Sequence, residues 1–243
     1  MHLKIAFAAS VAKDSSYPEL NEDAWSANAR GTCYALCDGA TESYDSQRWA
    51  RLLAERYTDD AAFLPSWVDA AVAAYNSQVD RAGLSWSRQA AFDRGSFSSL
   101  LGLQLADNGC EVEVLAVGDS IACHIRAGVS LASFPYTRAE EFDQRPTLLS
   151  TLSEQNVFVH EADFFARNTS RTWSIEPGDS ILMLTDAIGQ WLLRDLEASS
   201  GSIETLDLFA SPEALAEFTV RMRAEQRMRI DDTTVLRLVV VED

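Results

Sequence analysis

What the chain lacks narrows its chemistry first. Its four cysteines, Cys33, Cys37, Cys110 and Cys123, form no C-x-x-C pair, and no Cys/His cluster has zinc spacing. Cys37 is followed six residues on by Ser43, and Cys123 by Val129, so neither begins the Cys-x5-Arg cradle of a thiol phosphatase. There is no G-x-S-x-G nucleophile elbow and no G-x-x-x-x-G-K phosphate loop. The three histidines, His2, His124 and His160, lie apart from the acidic motifs and read as surface or packing residues. No run approaches the ~20 apolar residues of a membrane span. Linker-like, low-complexity and repeated segments are also missing, which leaves one domain, residues 1–243, as the simplest organisation.

Positive charge is scarce too. Twenty Lys and Arg stand against 37 Asp and Glu, a net charge of −17. Such a surface repels phosphate backbones and anionic lipid, which argues against nucleic-acid and membrane partners. It attracts divalent cations and basic peptide segments. The 47% apolar content suffices for a full core. Cys33 and Cys37 fall on one face of an apolar run and read as small buried hydrophobes, so a reduced, cytoplasmic protein fits best. The opening MHLKIAFAASVAK imitates a short signal peptide, but its brevity and alanines favour a first β-strand.

Periodicity predicts a strand over 3–12, then a hairpin in AWSANARGTCYALCD with its turn at Asn28 to Gly31. Trp49, Leu52, Leu53 and Tyr57 make a helical stripe. A second helix is expected in SWVDAAVAAYNSQVDRAG, with Ser66 and Asp69 as a capping box and Gly83 as its stop. Two hairpin signals, ADNG and RAG, punctuate a long β region. Residues 137–170 are polar and irregular. A buried strand over Ile181 to Thr185 ends at Asp186. SPEALAEFTVRMRAEQRMR is a helix capped by Ser211 with Pro212 first, and IDDTTVLRLVVVED closes the chain as a strand. Hairpin-linked strands argue for antiparallel sheets, and the amphipathic helices must cover sheet faces. The fold class expected is therefore α+β, a β-sandwich flanked by helices.

Acids gather at the ends of these apolar runs: Glu22 and Asp23, Asp38, Asp119, Asp186, and Asp231 with Asp232. A single Asp-Gly or Gly-Asp-Ser is more often a turn than a ligand. Five such motifs on rigid element ends form a better candidate for one preorganised site. Converging carboxylates repel one another and raise their own pKa values, a conflict that hard divalent cations resolve. Oxygen-only donors select Mg²⁺ or Mn²⁺ over zinc.

NEDAW, LCDGA, LAVGDS, LMLTDAIGQW and IDDTTVLRL occur in the order found in the PPM-type (type 2C) metal-dependent Ser/Thr protein phosphatases. The chain resembles a divergent, bacterial-like member of that family from about residue 5 to about residue 240. The resemblance implies a four-layer αββα sandwich with two Mn²⁺ or Mg²⁺ ions between the sheets, and a third, weaker ion site. Asp38 would bridge both ions and the Gly39 carbonyl would bind one, with Glu22 helping to hold it. Asp186 and Asp231 would hold the other ion. Asp119 with Asp186 would form the third site, Asp23 would orient metal-bound water, and Asp232 would support the ligands from behind.

The resemblance also implies hydrolysis of phosphoserine or phosphothreonine in a protein substrate by water activated between the metals, in signalling opposite a Ser/Thr kinase. Departures are evident. Ala40 stands where the family has His or Met, and Ala187 stands in a glycine place. GSFSS is a loose echo of Gly-Thr-Thr, and the phosphate-gripping arginine is missing, which leaves Lys13 as the upstream candidate. These departures support an alternative, a pseudophosphatase that binds with weak or no turnover. Retention of Glu22, Asp38, Asp186 and Asp231 argues for the enzyme. A third alternative is an acidic scaffold without metal.

Overall fold

The computed structural model describes residues 1–41, 43–164, 170–198, 203, 206 and 209–242. Twelve strands occur among them: β1 His2–Val11, β2 Ala24–Ala27, β3 Cys33–Cys37, β4 Phe97–Ser98, β5 Leu100–Leu105 and β6 Glu111–Val117, then β7 Ile121–Arg126, β8 Val129–Phe134, β9 Leu149–Ser150, β10 Ser170–Ser174, β11 Ser180–Leu184 and β12 Thr233–Val241. The helices are α1 Ser46–Asp59, α2 Pro65–Ser77, α3 Trp86–Phe92, α4 Asp186–Glu197 and α5 Pro212–Ala224. Five strands form one antiparallel sheet in the order β1-β12-β11-β7-β8, and five form another in the order β10-β6-β5-β3-β2. β4 and β9 pair separately.

Side-chain alternation along the strands builds four layers. In β3, Tyr34 and Leu36 face the other sheet, where they join Leu101, Leu103 and Val114 of their own sheet and Ile181, Met183, Leu236 and Leu238 opposite. Cys33, Ala35 and Cys37 face outward, onto Trp49, Leu53 and Tyr57 of α1 and Trp67 and Tyr75 of α2. The other sheet turns Phe7, Ile121, Cys123, Leu182 and Val235 outward, beneath Ile188, Trp191 and Leu192 of α4 and Leu215 and Phe218 of α5. The architecture is the α+β, αββα sandwich. Close approach of α1 depends on Gly102, where a Cβ would lie 2.2 Å from the Tyr57 ring.

Several local expectations need correction. α2 begins at Pro65 with Leu64 as its cap residue, so Ser66 lies inside the first turn and caps nothing. Proline fixes the first-turn backbone angle and thereby sets the helix start. α2 ends at Ser77, and Gly83 belongs to a separate 3-10 turn. Ser211 does cap α5, accepting from the Ala214 N–H at 3.3 Å. That helix stops at Ala224 rather than running on through Arg229, because Gln226 turns left-handed at φ +56°. The helix beginning at Asp186 and the short α3 were not anticipated. Segment 137–164 holds three 3-10 turns and β9 between irregular stretches. Residues 165–169, the rest of the segment read as irregular, lie outside the described residues.

Candidate metal centre

Strand and helix ends bring the acids together at one edge of the sandwich. Asp38 is the first residue after β3. Its N–H donates to Ser99 Oγ at 3.0 Å, and its carbonyl accepts from the Ser99 N–H at 2.8 Å, which fixes its backbone. Ser99 Oγ lies 2.7 Å from Ser120 Oγ, tying this point to the start of β7. Asp119 follows Gly118, whose φ of +103° and approach to Ser99, 2.6 Å from a hypothetical Cβ, only glycine tolerates. Asp186 is the first residue of α4, where the unpaired N–H groups of a helix start favour a carboxylate. Asp231 lies just before β12. Arg223 donates to its carbonyl and to Thr233 Oγ1 at 3.0 Å, while also reaching the Ala12 carbonyl at 3.1 Å.

Asp38, Gly39, Asp119, Asp186 and Asp231 line a single cavity of about 170 Å³, with Thr41, Pro146 and Leu148 among its other walls. Gly39 is required by packing: a Cβ there would lie 2.9 Å from the Glu22 carbonyl and 3.0 Å from the Ser46 backbone. The remaining acids, Glu22, Asp23 and Asp232, do not line the cavity and lie behind its walls. Glu22 accepts from both Lys13 Nζ and Ser46 Oγ. Lys13 Nζ also donates to Thr41 Oγ1 at 2.8 Å. Asp232 is buried and takes the N–H groups of Lys13 and Glu22, each at 2.7 Å, knitting the ends of three segments. Asp23 Oδ2 accepts from Thr234 Oγ1 at 2.6 Å and Thr185 Oγ1 at 3.2 Å.

The charges in this cavity oppose one another. Burial pushes the Asp38 carboxyl well above its ordinary range, and Asp23, Asp186, Asp119 and Asp231 push it further. Asp186 is raised to about 7 by burial, then by Asp119 and Asp231, and Asp119 to about 6, mainly by burial. Asp231 and Asp23 are raised by burial as well. Two buried oxygens, Asp186 Oδ1 and Asp23 Oδ1, have no hydrogen-bond partner. A buried carboxylate oxygen without a donor is costly, and hard oxygen donors repelling across a cavity are what a small divalent cation satisfies. The donor set therefore fits Mg²⁺ or Mn²⁺. Among the described residues no three Asp, Glu, His or Cys side chains already stand in a metal-ligating arrangement.

Beyond the cavity runs a groove of about 770 Å³ that shares Ala40, Thr41, Pro146, Leu148 and Asp231 with it. Arg94 and Arg145 line the groove, neither of them among the residues singled out from sequence. Arg223 and Arg229 were also missed. Arg229 Nη1 lies 3.5 Å from Asp186 Oδ2, and Arg229 is the last residue of the segment expected to be helical. His124 is distant from this chemistry: it is buried, with Nε2 2.8 Å from Asp179.

No family model matches the sequence, and no curated protein matches it significantly. Solved structures do match the fold. The photosystem II phosphatase PBCP superposes with a TM-score of 0.62 at 14% identity over 98% of both chains. The catalytic domain of the serine/threonine protein phosphatase PstP, in complex with two manganese ions, gives 0.59 at 18% identity over 99% of both. The serine/threonine phosphatase Stp1 from Staphylococcus aureus gives 0.59 at 16% identity, over 100% of this chain and 98% of that one. The chain thus has the sandwich fold of the PPM-type Ser/Thr phosphatases.

Proposed function

We propose that this chain is a metal-dependent phosphatase that hydrolyses phosphoserine and phosphothreonine monoesters in protein substrates. The observation that carries the reading is the convergence of Asp38, Asp119, Asp186 and Asp231, from four separate segments, on one cavity without enough cations to offset them. Asp38 and the Gly39 carbonyl, with Asp186 and Asp231, are the residues we assign to two divalent ions, and Glu22 is the supporting acid. Bound there, Mn²⁺ or Mg²⁺ would lower the pKa of a water nucleophile and offset charge on the phosphoryl oxygens. The manganese ions in the PstP complex support this choice of metal.

The chain's own residues do the rest. Asp23 Oδ2 is held by two threonine hydroxyls while its buried Oδ1 is left without a partner, which supports a role in orienting metal-bound water. Asp232 fixes the backbones of Lys13 and Glu22 and so the rim of the cavity. Lys13 reaches that rim through Thr41, and Arg94 and Arg145 in the adjoining groove suit a phosphorylated segment, taking the place of the absent upstream arginine. A Ser/Thr kinase must supply such a substrate, which sets the chain in a signalling pair. Unpaired cysteines, three of them buried, support a reducing cytoplasmic setting.

A second reading, a pseudophosphatase that binds phosphoproteins without turnover, is favoured by Ala40 in the cavity wall, which offers no proton where the resemblance expects His. Calorimetry with Mn²⁺ and a p-nitrophenyl phosphate assay separate the two. Manganese-dependent turnover that disappears in Asp38→Ala is the expected result. Tight Mn²⁺ binding with no turnover on this ester or on phosphopeptides would establish the second reading, and absence of Mn²⁺ binding would sink both.

A further inference from the structure

Resting on the metal-dependent reading above, we infer that Arg94 and Arg145 form a subsite for acidic side chains, so that this chain selects phosphoproteins with Asp or Glu flanking the phosphorylated residue. The groove that carries them opens directly from the cavity, since the two share Ala40, Thr41, Pro146, Leu148 and Asp231. A peptide that delivers a phosphoryl group to the cavity has this groove as a path for the residues on one side of it. Among the described residues that line the groove, charge is confined to Arg94, Arg145 and Asp231, and Asp231 belongs to the cavity end. In a chain with 37 acids against 20 bases, a groove without an acid of its own is a local inversion of charge.

Both guanidinium groups are placed by the backbone and left without a counter-charge. Arg94 lies just beyond α3, where its N–H donates to the Ala91 carbonyl and its Nη1 to the Ala90 carbonyl, each at 3.1 Å. Gly95 beside it takes φ +84°, and a Cβ there would stand 2.8 Å from the Leu152 side chain, so glycine fixes this bend. Arg145 precedes Pro146, whose ring confines it to extended backbone. Elsewhere arginines find acids: Arg81 pairs with Asp93, Arg126 with Asp179 and Arg227 with Asp195. Arg94 and Arg145 are exposed and have no carboxylate partner among the described residues. A guanidinium is permanently charged and pairs with a carboxylate through two parallel hydrogen bonds. Phe97, Leu148 and Phe158 give the groove apolar walls, which lessen the screening that weakens fully exposed ion pairs. The net charge of −17 by itself attracts basic peptides, so the groove demands the opposite preference. Distant charge is screened beyond about 8 Å at physiological ionic strength, which leaves the contacting arginines to decide.

The alternative is that the two arginines only grip the reacting phosphoryl group, in which case the flanking residues would not matter. Fluorescence anisotropy separates the two without turnover, using the Mn²⁺-loaded full chain and peptides with a non-hydrolysable phosphonate in place of phosphothreonine. The peptides carry paired Glu, Ala or Lys residues on one or the other side of the phosphonate. For one of the two placements the wild type should bind the Glu peptide about 10-fold more tightly than the Ala peptide, with the Lys peptide weakest. R94Q/R145Q should abolish this difference and R94K/R145K should keep part of it. R30Q removes a positive charge at the β2–β3 turn, at the opposite end of β3 from Asp38, and should leave the difference unchanged. The wild-type preference does not depend on any variant folding. Equal binding of Glu and Ala peptides at both placements, a preference for Lys, or a difference retained in folded R94Q/R145Q would overturn the inference. The metal-dependent reading would survive each of these results, because Mn²⁺-dependent turnover of p-nitrophenyl phosphate tests it separately. A wild type that binds neither Mn²⁺ nor any phosphonate would overturn that reading, and the inference with it.

Discussion

Replacing Asp186 by asparagine in the metal-free protein should make the fold more stable. In the folded chain Asp186 titrates at about 7, against about 3.9 when unfolded. The folded state therefore holds more protons between those values, and stability falls as pH rises through that window, then levels off above it. At pH 8 the charge opposes folding by up to about 4 kcal/mol, at ~1.4 kcal/mol for each tenfold change in acidity. Neighbouring carboxylates relax, and taking half of that figure leaves a gain of about 2 kcal/mol. For a chain of this length that is a rise in Tm of roughly 4–8 °C. The assay is thermal unfolding in EDTA at pH 8 and pH 5. The gain should shrink by more than half at pH 5, where both proteins carry little charge at this position in the fold. Added Mn²⁺ should then reverse the ranking, raising the wild-type Tm and leaving the variant unmoved. An Asp186→Asn protein that is less stable at pH 8 in EDTA, or equally favoured at both pH values, would refute the electrostatic account of the cavity.

Gly102→Ala should destabilise by about 1–3 kcal/mol, since the new Cβ meets the Tyr57 ring and the core is close-packed. Adding Tyr57→Leu should recover part of that loss in chemical denaturation. Arg223→Ala should weaken Mn²⁺ binding by about 10-fold or more through the unsupported Asp231 backbone, as outer-layer substitutions commonly do. Unchanged affinity in a folded Arg223→Ala protein would show that Asp231 is placed without it.

The strands and paired hairpins were legible because their alternation and turn residues are local signals. Gly31, Gly109 and Gly128 all adopt the left-handed angles that their turn sequences suggested. α4 was missed because the apolar run of β11 leads almost directly into it: Ile188, Trp191 and Leu192 stand at helical spacing, but only a few residues separate them from the strand. Its Gly189, ordinarily a helix weakener, is there because a Cβ would sit 3.0 Å from Ile121. The acids could be named from sequence, since each abuts an apolar run. Their cationic neighbours could not, because Arg145 and Arg229 sit in irregular stretches whose paths are set by tertiary packing. Arg229 in particular reaches Asp186 past the left-handed break at Gln226.

The provenance of the cavity walls has a mechanical consequence. Asp38 follows a strand of one sheet, whereas Asp186 and Asp231 lie close to strand ends of the other. Any ion gripped from both sides acts as a rivet across the seam between the two halves of the sandwich. Prying the halves apart must release the rivet, so melting of one half drags the other with it, and cooperativity itself becomes a property that chelation can loosen.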